Sequence, residues 1–176
     1  ARAPSPLAPH WAGSIGLPHR GVLTNARELP AEGAGYRTLA SNDRHFGTPR
    51  FVAAIERATA RVAKERPGSI LTVGDLSGRA GGHISSHASH RSGRDADLLL
   101  YLTTLEGAAV TSTSFVSVGN DGLAWDLVHK RFLRLDVEQA QQPVLRLDLV
   151  VAARQAEAGR RLERAPRVLT VRQAEP

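Results

Sequence analysis

The residues best suited to chemistry lie in one stretch, Gly81-Gly82-His83-Ile84-Ser85-Ser86-His87-Ala88-Ser89-His90-Arg91-Ser92-Gly93-Arg94-Asp95-Ala96-Asp97. It holds three of the chain's seven histidines, and the chain has no cysteine. Imidazole and carboxylate are the natural zinc ligands when thiolate is absent, and an open fourth position makes such a site catalytic. His90 on a loop and Asp97 on the strand that follows can converge, with Ser92-Gly93 permitting a tight backbone approach. On this reading Asp97 is a ligand. Asp95 shares its strand face and can hold a ligand imidazole or position solvent. His87, three residues before His90, can polarise substrate or bind a second ion. The same residue types also suit a solvated His/Ser/Gly loop that binds nickel adventitiously, and Asp95 and Asp97 suit a solvated strand start. Spacing alone leaves these alternatives open.

The elements that must position this loop are legible on both sides of it. Thr48 is a good N-cap, Pro49 fits the first helical position, and Phe51, Val52, Ile55, Ala58 and Val62 recur at helical spacing. Pro67-Gly68 ends that helix. Ser69 to Val73 reads as a buried strand, and Asp95 to Thr103 as a second strand with Asp95, Asp97, Leu99 and Tyr101 on one face. Short strands are expected near Val22-Leu23 and from Tyr36 to Leu39, a third strand over Thr113 to Val118, and a turn at Asn120-Asp121-Gly122. Val144 to Val151 reads as a strand and Ala152 to Arg164 as a helix with little apolar face. The whole is an α+β domain: a small, mostly antiparallel sheet with a packed helix.

Composition narrows the partners. The chain has 176 residues, 41% hydrophobic and 23% charged, which suits one globular domain and is too apolar for disorder. Its longest apolar runs, such as Leu98-Leu99-Leu100-Tyr101-Leu102, are far short of a membrane span, so no integral membrane segment is expected. The net charge of +6 is carried almost wholly by arginine, since Lys64 and Lys130 are the only lysines. A basic balance favours nucleic acid, anionic lipid or an anionic wall polymer. With two Trp, two Tyr and four Phe and no run of five basic residues, a nucleic-acid partner is not expected. The opening Ala1-Arg2-Ala3-Pro4, without Met, reads as a processed or trimmed N-terminus.

The run His87-Ala88-Ser89-His90 followed by Arg91-Ser92-Gly93-Arg94-Asp95-Ala96-Asp97 closely resembles the signature of the penicillin-insensitive murein endopeptidases. These fall in the wider group of zinc peptidases with lysostaphin-type, D-Ala-D-Ala and hedgehog-type domains. The likeness includes Ser14-Ile15-Gly16, Arg20-Gly21, Leu29-Pro30, Gly35-Tyr36, Asp43-Arg44-His45-Phe46-Gly47-Thr48-Pro49 and Val73-Gly74-Asp75-Leu76-Ser77, in the family's order. The resemblance implies a hedgehog/D-Ala-D-Ala metallopeptidase-like fold and Zn2+ as cofactor. It implies His90 and Asp97 as zinc ligands and His87 as the family's additional site histidine, close to the metal. The implied activity is hydrolysis of the D-alanyl to diaminopimelate cross-link of peptidoglycan, in the periplasm or another extracytoplasmic space. In the implied mechanism zinc acidifies water and polarises the scissile carbonyl. A histidine of a later His-x-His element then acts as base, and its second histidine completes the metal shell.

Three departures stand against that pattern. Ser85-Ser86 precedes His87 where the family has glycine, and Leu123-Ala124 follow Asp121-Gly122 where some members place another metal-proximal Asp and His. No His-x-His occurs in the sequence, whose last histidine is His129. His83 and His129 are the candidates to fill the vacant ligand position. The resemblance breaks after Glu138, which reads as truncation or frameshift. The expected organisation is an extended lead-in over 1–13, a metallopeptidase-like domain over 14–138 and a divergent segment over 139–176. An impaired endopeptidase is the expected function. A non-catalytic peptidoglycan- or metal-binding relative is the alternative, and an unrelated basic surface binder would require the resemblance to be coincidence.

Overall fold

A computed structural model describes residues 13–137 together with the strands at 149–151 and 169–173. All but the last residue of the expected lead-in over 1–13, most of the expected strand over 144–151 and the expected helix over 152–164 lie outside the described residues. No helix among the described residues is long and apolar enough to cross a membrane.

The one long helix among the described residues, α1 (Pro49–Glu65), forms where its caps demand. The Thr48 hydroxyl accepts from the Phe51 N–H, Pro49 occupies the first turn, and the chain leaves helical geometry at Arg66 before Pro67-Gly68. Its buried stripe of Phe51, Val52, Ile55, Ala58, Thr59 and Val62 follows the 3.6-residue period. Thr59 is tolerated there because its hydroxyl donates back to the Ile55 carbonyl.

This stripe packs on a sheet whose strands, in chain order, are β4 (Glu32–Gly33), β5 (Tyr36–Thr38), β7 (Leu71–Val73), β8 (Asp95–Leu99), β13 (Leu149–Val151) and β14 (Leu169–Gln173). The spatial order is β13-β14-β8-β7-β5-β4. Only β5 and β7 are parallel, and α1 lies on the crossover between them, as a parallel connection requires. Leu29, Tyr36, Phe51, Val52, Ile55, Leu71, Val73, Leu76 and Ala96 form the main core. An α+β architecture with mostly antiparallel pairing is therefore what the chain adopts.

Two short pairs flank this sheet: the hairpin β1 (Gly13–Leu17) and β2 (Arg20–Thr24), and β3 (Arg27–Glu28) with β6 (Phe46–Gly47). A second sheet holds β9 (Leu102–Thr103), β10 (Ala109–Val110), β11 (Leu123–Asp126) and β12 (Arg131–Leu135) in the order β10-β9-β12-β11. Its small core is Leu102, Ala124 and Leu133.

Two expectations need correction. The strand expected over Asp95 to Thr103 breaks after Leu99, because the chain changes sheets there and Tyr101 packs with Leu98 against the main core. Thr113 to Val118 is not a strand. Apart from one bridge from Val118 to Ala124 it is irregular, and Val116 and Val118 instead pack against the second core. Its Thr/Ser content fits this, since those hydroxyls compete with ladder hydrogen bonds.

Candidate metal centre

The loop from Gly74 to Arg94 joins β7 to β8 and carries His87 and His90; Asp75 opens it and Asp95 and Asp97 follow it on β8. Backbone bonds hold the loop in place. Gly82 N–H donates to the Arg91 carbonyl at 3.0 Å, closing the loop on itself. From outside, β2 and its hairpin turn hold the loop: Leu23 N–H donates to the Ala80 carbonyl at 3.0 Å, and Arg91 N–H donates to the Pro18 carbonyl at 3.0 Å. The alternation of β8 sends Asp95 and Asp97 toward the loop and Ala96 and Leu98 toward the main core, so one short strand serves two layers.

His90 is 1% exposed and adopts a left-handed backbone at φ 63°. That conformation is uncommon outside glycine, though histidine visits it more than most residues. It is held here because the His90 N–H donates to Asp95 Oδ2 at 2.9 Å. Turned this way, the ring brings Nε2 to 3.1 Å from Asp97 Oδ1 and Nδ1 to 3.5 Å from Asp95 Oδ2. Burial alone would push the His90 imidazole down. The hydrogen bond to Asp97 and the Asp97 and Asp95 carboxylates outweigh burial and hold it above the ordinary histidine range.

His87 meets His90 edge to face with ring centroids 4.7 Å apart. Its Nδ1 is 3.8 Å from Asp97 Oδ2, and its Nε2 is 2.9 Å from Asp75 Oδ2. His87 is the most solvent-accessible member, its side chain 22% exposed against 8% for Asp97, so the centre opens to solvent on the His87 side.

These residues fit a divalent cation. His87, His90 and Asp97 each offer a donor atom within 4.8 Å of the other two. Tetrahedral zinc with bonds of ~2.0–2.1 Å separates its ligands by about 3.4 Å. The His90 to Asp97 pair at 3.1 Å is already near that spacing, so the remaining adjustment falls to His87. His90 Nδ1 and Asp95 Oδ1 are buried with no hydrogen-bond partner among the described residues. A modest ring movement would let Nδ1–H donate to Asp95, the support a ligand imidazole usually has. Two imidazoles and one carboxylate are a zinc donor set with a fourth position left open.

Residues 14–165 match the family model for penicillin-insensitive murein endopeptidase. The chain belongs to this family. The penicillin-insensitive murein endopeptidase of Yersinia pestis bv. Antiqua (strain Antiqua) is 41% identical over 91 residues, which is 51% of this chain and 33% of that protein. That of Haemophilus influenzae is 30% identical over 137 residues, 77% of this chain and 45% of the relative. That of Klebsiella pneumoniae (strain 342) is 37% identical over 93 residues, 52% of this chain and 34% of the relative. Each match thus spans less than half of the relative's length.

In this murein endopeptidase family member the structure brings His87, His90 and Asp97 together, with Asp95 behind His90. The two histidines that could have substituted for a missing ligand lie elsewhere. His83 is exposed and outside the cluster. His129 lies in the β11–β12 turn with Nδ1 2.8 Å from Asp126 Oδ2. Residue spacing points to no site role for Asp75, Asn42 or Arg44. Asp75 precedes His87 by twelve residues, and only the pairing of β7 with β8 reveals the contact.

His45 is a further buried histidine beside this network, its Nε2 without a hydrogen-bond partner among the described residues. Burial lowers its imidazole below the ordinary value of 6.5, with Asp75, Glu28 and the Asn42 backbone only partly opposing. A folded-state value below the unfolded one means the unfolded chain binds the proton more readily. His45 therefore favours the fold above about pH 6.5 and disfavours it as pH falls through its depressed folded value. Replacing His45 with Gln should flatten the acid-side slope of urea-unfolding stability against pH. An unchanged slope would remove His45 as its source.

Proposed function

We propose that this chain carries the metal-binding part of a zinc-dependent murein endopeptidase that hydrolyses the D-alanyl to diaminopimelate cross-link of peptidoglycan. The observation that carries this reading is the convergence of His87, His90 and Asp97, in a chain whose curated relatives are named for murein endopeptidase activity. His90 Nε2, Asp97 and His87 Nδ1 would hold the metal. Zinc bound there supplies Lewis-acid polarisation of a carbonyl and makes water a stronger acid. Asp95 keeps the His90 backbone in its left-handed turn, and the buried walls around His90 and Asp95 exclude water from that side. His87, on the open side, is the member placed to meet substrate and is the candidate catalytic residue. The kinship to hedgehog and D-Ala-D-Ala peptidases belongs to the same reading, supported by a helix packed on a largely antiparallel sheet with candidate ligands on a loop and the next strand. Residues 14–138 are taken as the metallopeptidase-like unit. A wall cross-link as substrate places the protein in the periplasm or another extracytoplasmic space.

A second reading, a non-catalytic peptidoglycan- or metal-binding relative, draws on the lack of a His-x-His in these 176 residues. Incubation of metal-stripped and zinc-reloaded protein with cross-linked muropeptide dimers separates the two. Monomer release that requires zinc and disappears in His90→Ala supports the endopeptidase. Stoichiometric zinc uptake without monomer release supports the binding relative. Failure to take up zinc overturns the endopeptidase and the metal-binding relative alike, and leaves only a relative that binds peptidoglycan without metal.

A further inference from the structure

We propose that Asp75 is a positioning residue that fixes His87 as its Nε2–H tautomer and thereby turns the Nδ1 lone pair toward Asp97 and His90. The consequence for metal binding rests on the metal-centre reading above; the tautomer itself does not.

Asp75 is held from three directions. Its carbonyl accepts from the Asp97 N–H at 2.9 Å, tying its backbone to the strand that carries a candidate ligand. Asn42 Nδ2 donates to Asp75 Oδ1 at 3.1 Å, and Arg44 Nη1 donates to Oδ2 at 3.1 Å. Asn42 and Arg44 are themselves coupled, since the Arg44 N–H donates to Asn42 Oδ1 at 2.9 Å. Arg44 Nη2 reaches on to Ser85 Oγ at 3.1 Å, two residues before His87, so one side chain clamps both the carboxylate and the loop it must meet.

Asn42 and Arg44 present N–H donors to both Asp75 oxygens, and the Arg44 guanidinium pairs with Oδ2 at 3.1 Å, the surroundings of a carboxylate rather than of a neutral acid. A carboxylate only accepts hydrogen bonds. His87 Nε2, 2.9 Å from Oδ2, must therefore bring the proton. In the neutral ring the other nitrogen then carries a lone pair, and Nδ1 is the atom that faces Asp97 Oδ2 at 3.8 Å. A lone pair aimed at a carboxylate oxygen has no attraction of its own, and the pair becomes favourable when a cation lies between them.

The test uses the full chain labelled with 15N. Long-range 1H–15N spectra of the metal-free protein at mildly alkaline pH should show His87 Nε2 protonated and Nδ1 unprotonated. In Asp75→Asn the amide can offer its own N–H to the ring, so a mixture of tautomers is expected. Zinc affinity, measured by competition with a chromophoric chelator, should weaken roughly ten- to a hundredfold, as for other carboxylates that orient a ligand histidine. A wild-type spectrum with Nδ1–H overturns the proposal without any variant. An unaltered tautomer in a natively folded Asp75→Asn also overturns it, as does unaltered zinc affinity when zinc binding depends on His90. Zinc binding that His90→Asn leaves unchanged would instead defeat the metal-centre reading, while the tautomer assignment would still be decided by the spectra.

Discussion

Replacement of His90 should lower zinc affinity by more than about a hundredfold, or ~2.7 kcal/mol, because removing a ligand must exceed the ten- to hundredfold typical of losing a residue that merely orients one. Nothing else among the described residues is placed to take over. His83 is exposed and outside the cluster, and His129 is engaged with Asp126. The choice of variant matters. At φ 63° an alanine adds backbone strain to the loss of the imidazole. Asparagine tolerates this conformation, so His90→Asn removes the ring while keeping the turn. Asp97→Asn provides the companion test, since it conserves volume and removes the carboxylate on the other side of the 3.1 Å pair. Calorimetric zinc titration of wild type and both variants, restricted to proteins with native circular dichroism, checks the expectation. Wild-type affinity in either folded variant would mean that the metal binds elsewhere.

The parts of this molecule that sequence made legible are those set by local chemistry. Thr48 and Pro49 announce the start of α1, and the spacing of Phe51, Val52, Ile55 and Val62 announces its buried face. The two-residue period of β8 puts Asp95 and Asp97 on the face that meets His90, and residue spacing alone is enough to show that period. What stayed hidden depends on which strands become neighbours. The Asp75 contact with His87 requires β7 to pair with β8. The hairpin of β11 and β12, with Trp125 opposite Phe132, carries no strong turn signal: Lys130 takes a positive φ at the bend where glycine or asparagine would have advertised it. Thr113 to Val118 misleads in the other direction. Its β-branched residues suit a strand, yet the Ser112 carbonyl just before it accepts from Thr72 Oγ1 at 2.6 Å and the segment runs on as irregular chain.

Gly93 is where the site and the fold meet, and Gly93→Ala should destabilise the protein by about 2–5 kcal/mol from left-handed backbone strain together with overpacking. The residue lies between His90 and Asp95 at φ 66°. A Cβ there would stand 2.6 Å from Leu23 Cδ2, 3.0 Å from Leu23 Cδ1 and 3.1 Å from the Gly47 Cα. Leu23 is 1% exposed and has little room to yield, and Gly47 belongs to β6, immediately before the α1 cap. The Gly93 carbonyl also accepts from the Thr48 N–H at 2.9 Å, so displacement of this one residue disturbs the helix start as well as the loop. Urea unfolding should show a lower midpoint with an unchanged slope, the sign of lost stability rather than a changed unfolded state. Zinc affinity should fall with it, because the turn that aims His90 at Asp97 passes through this position. A midpoint equal to wild type would show that Leu23 and Gly47 can give way, and that the close approach between loop and helix cap is not what holds His90 in place.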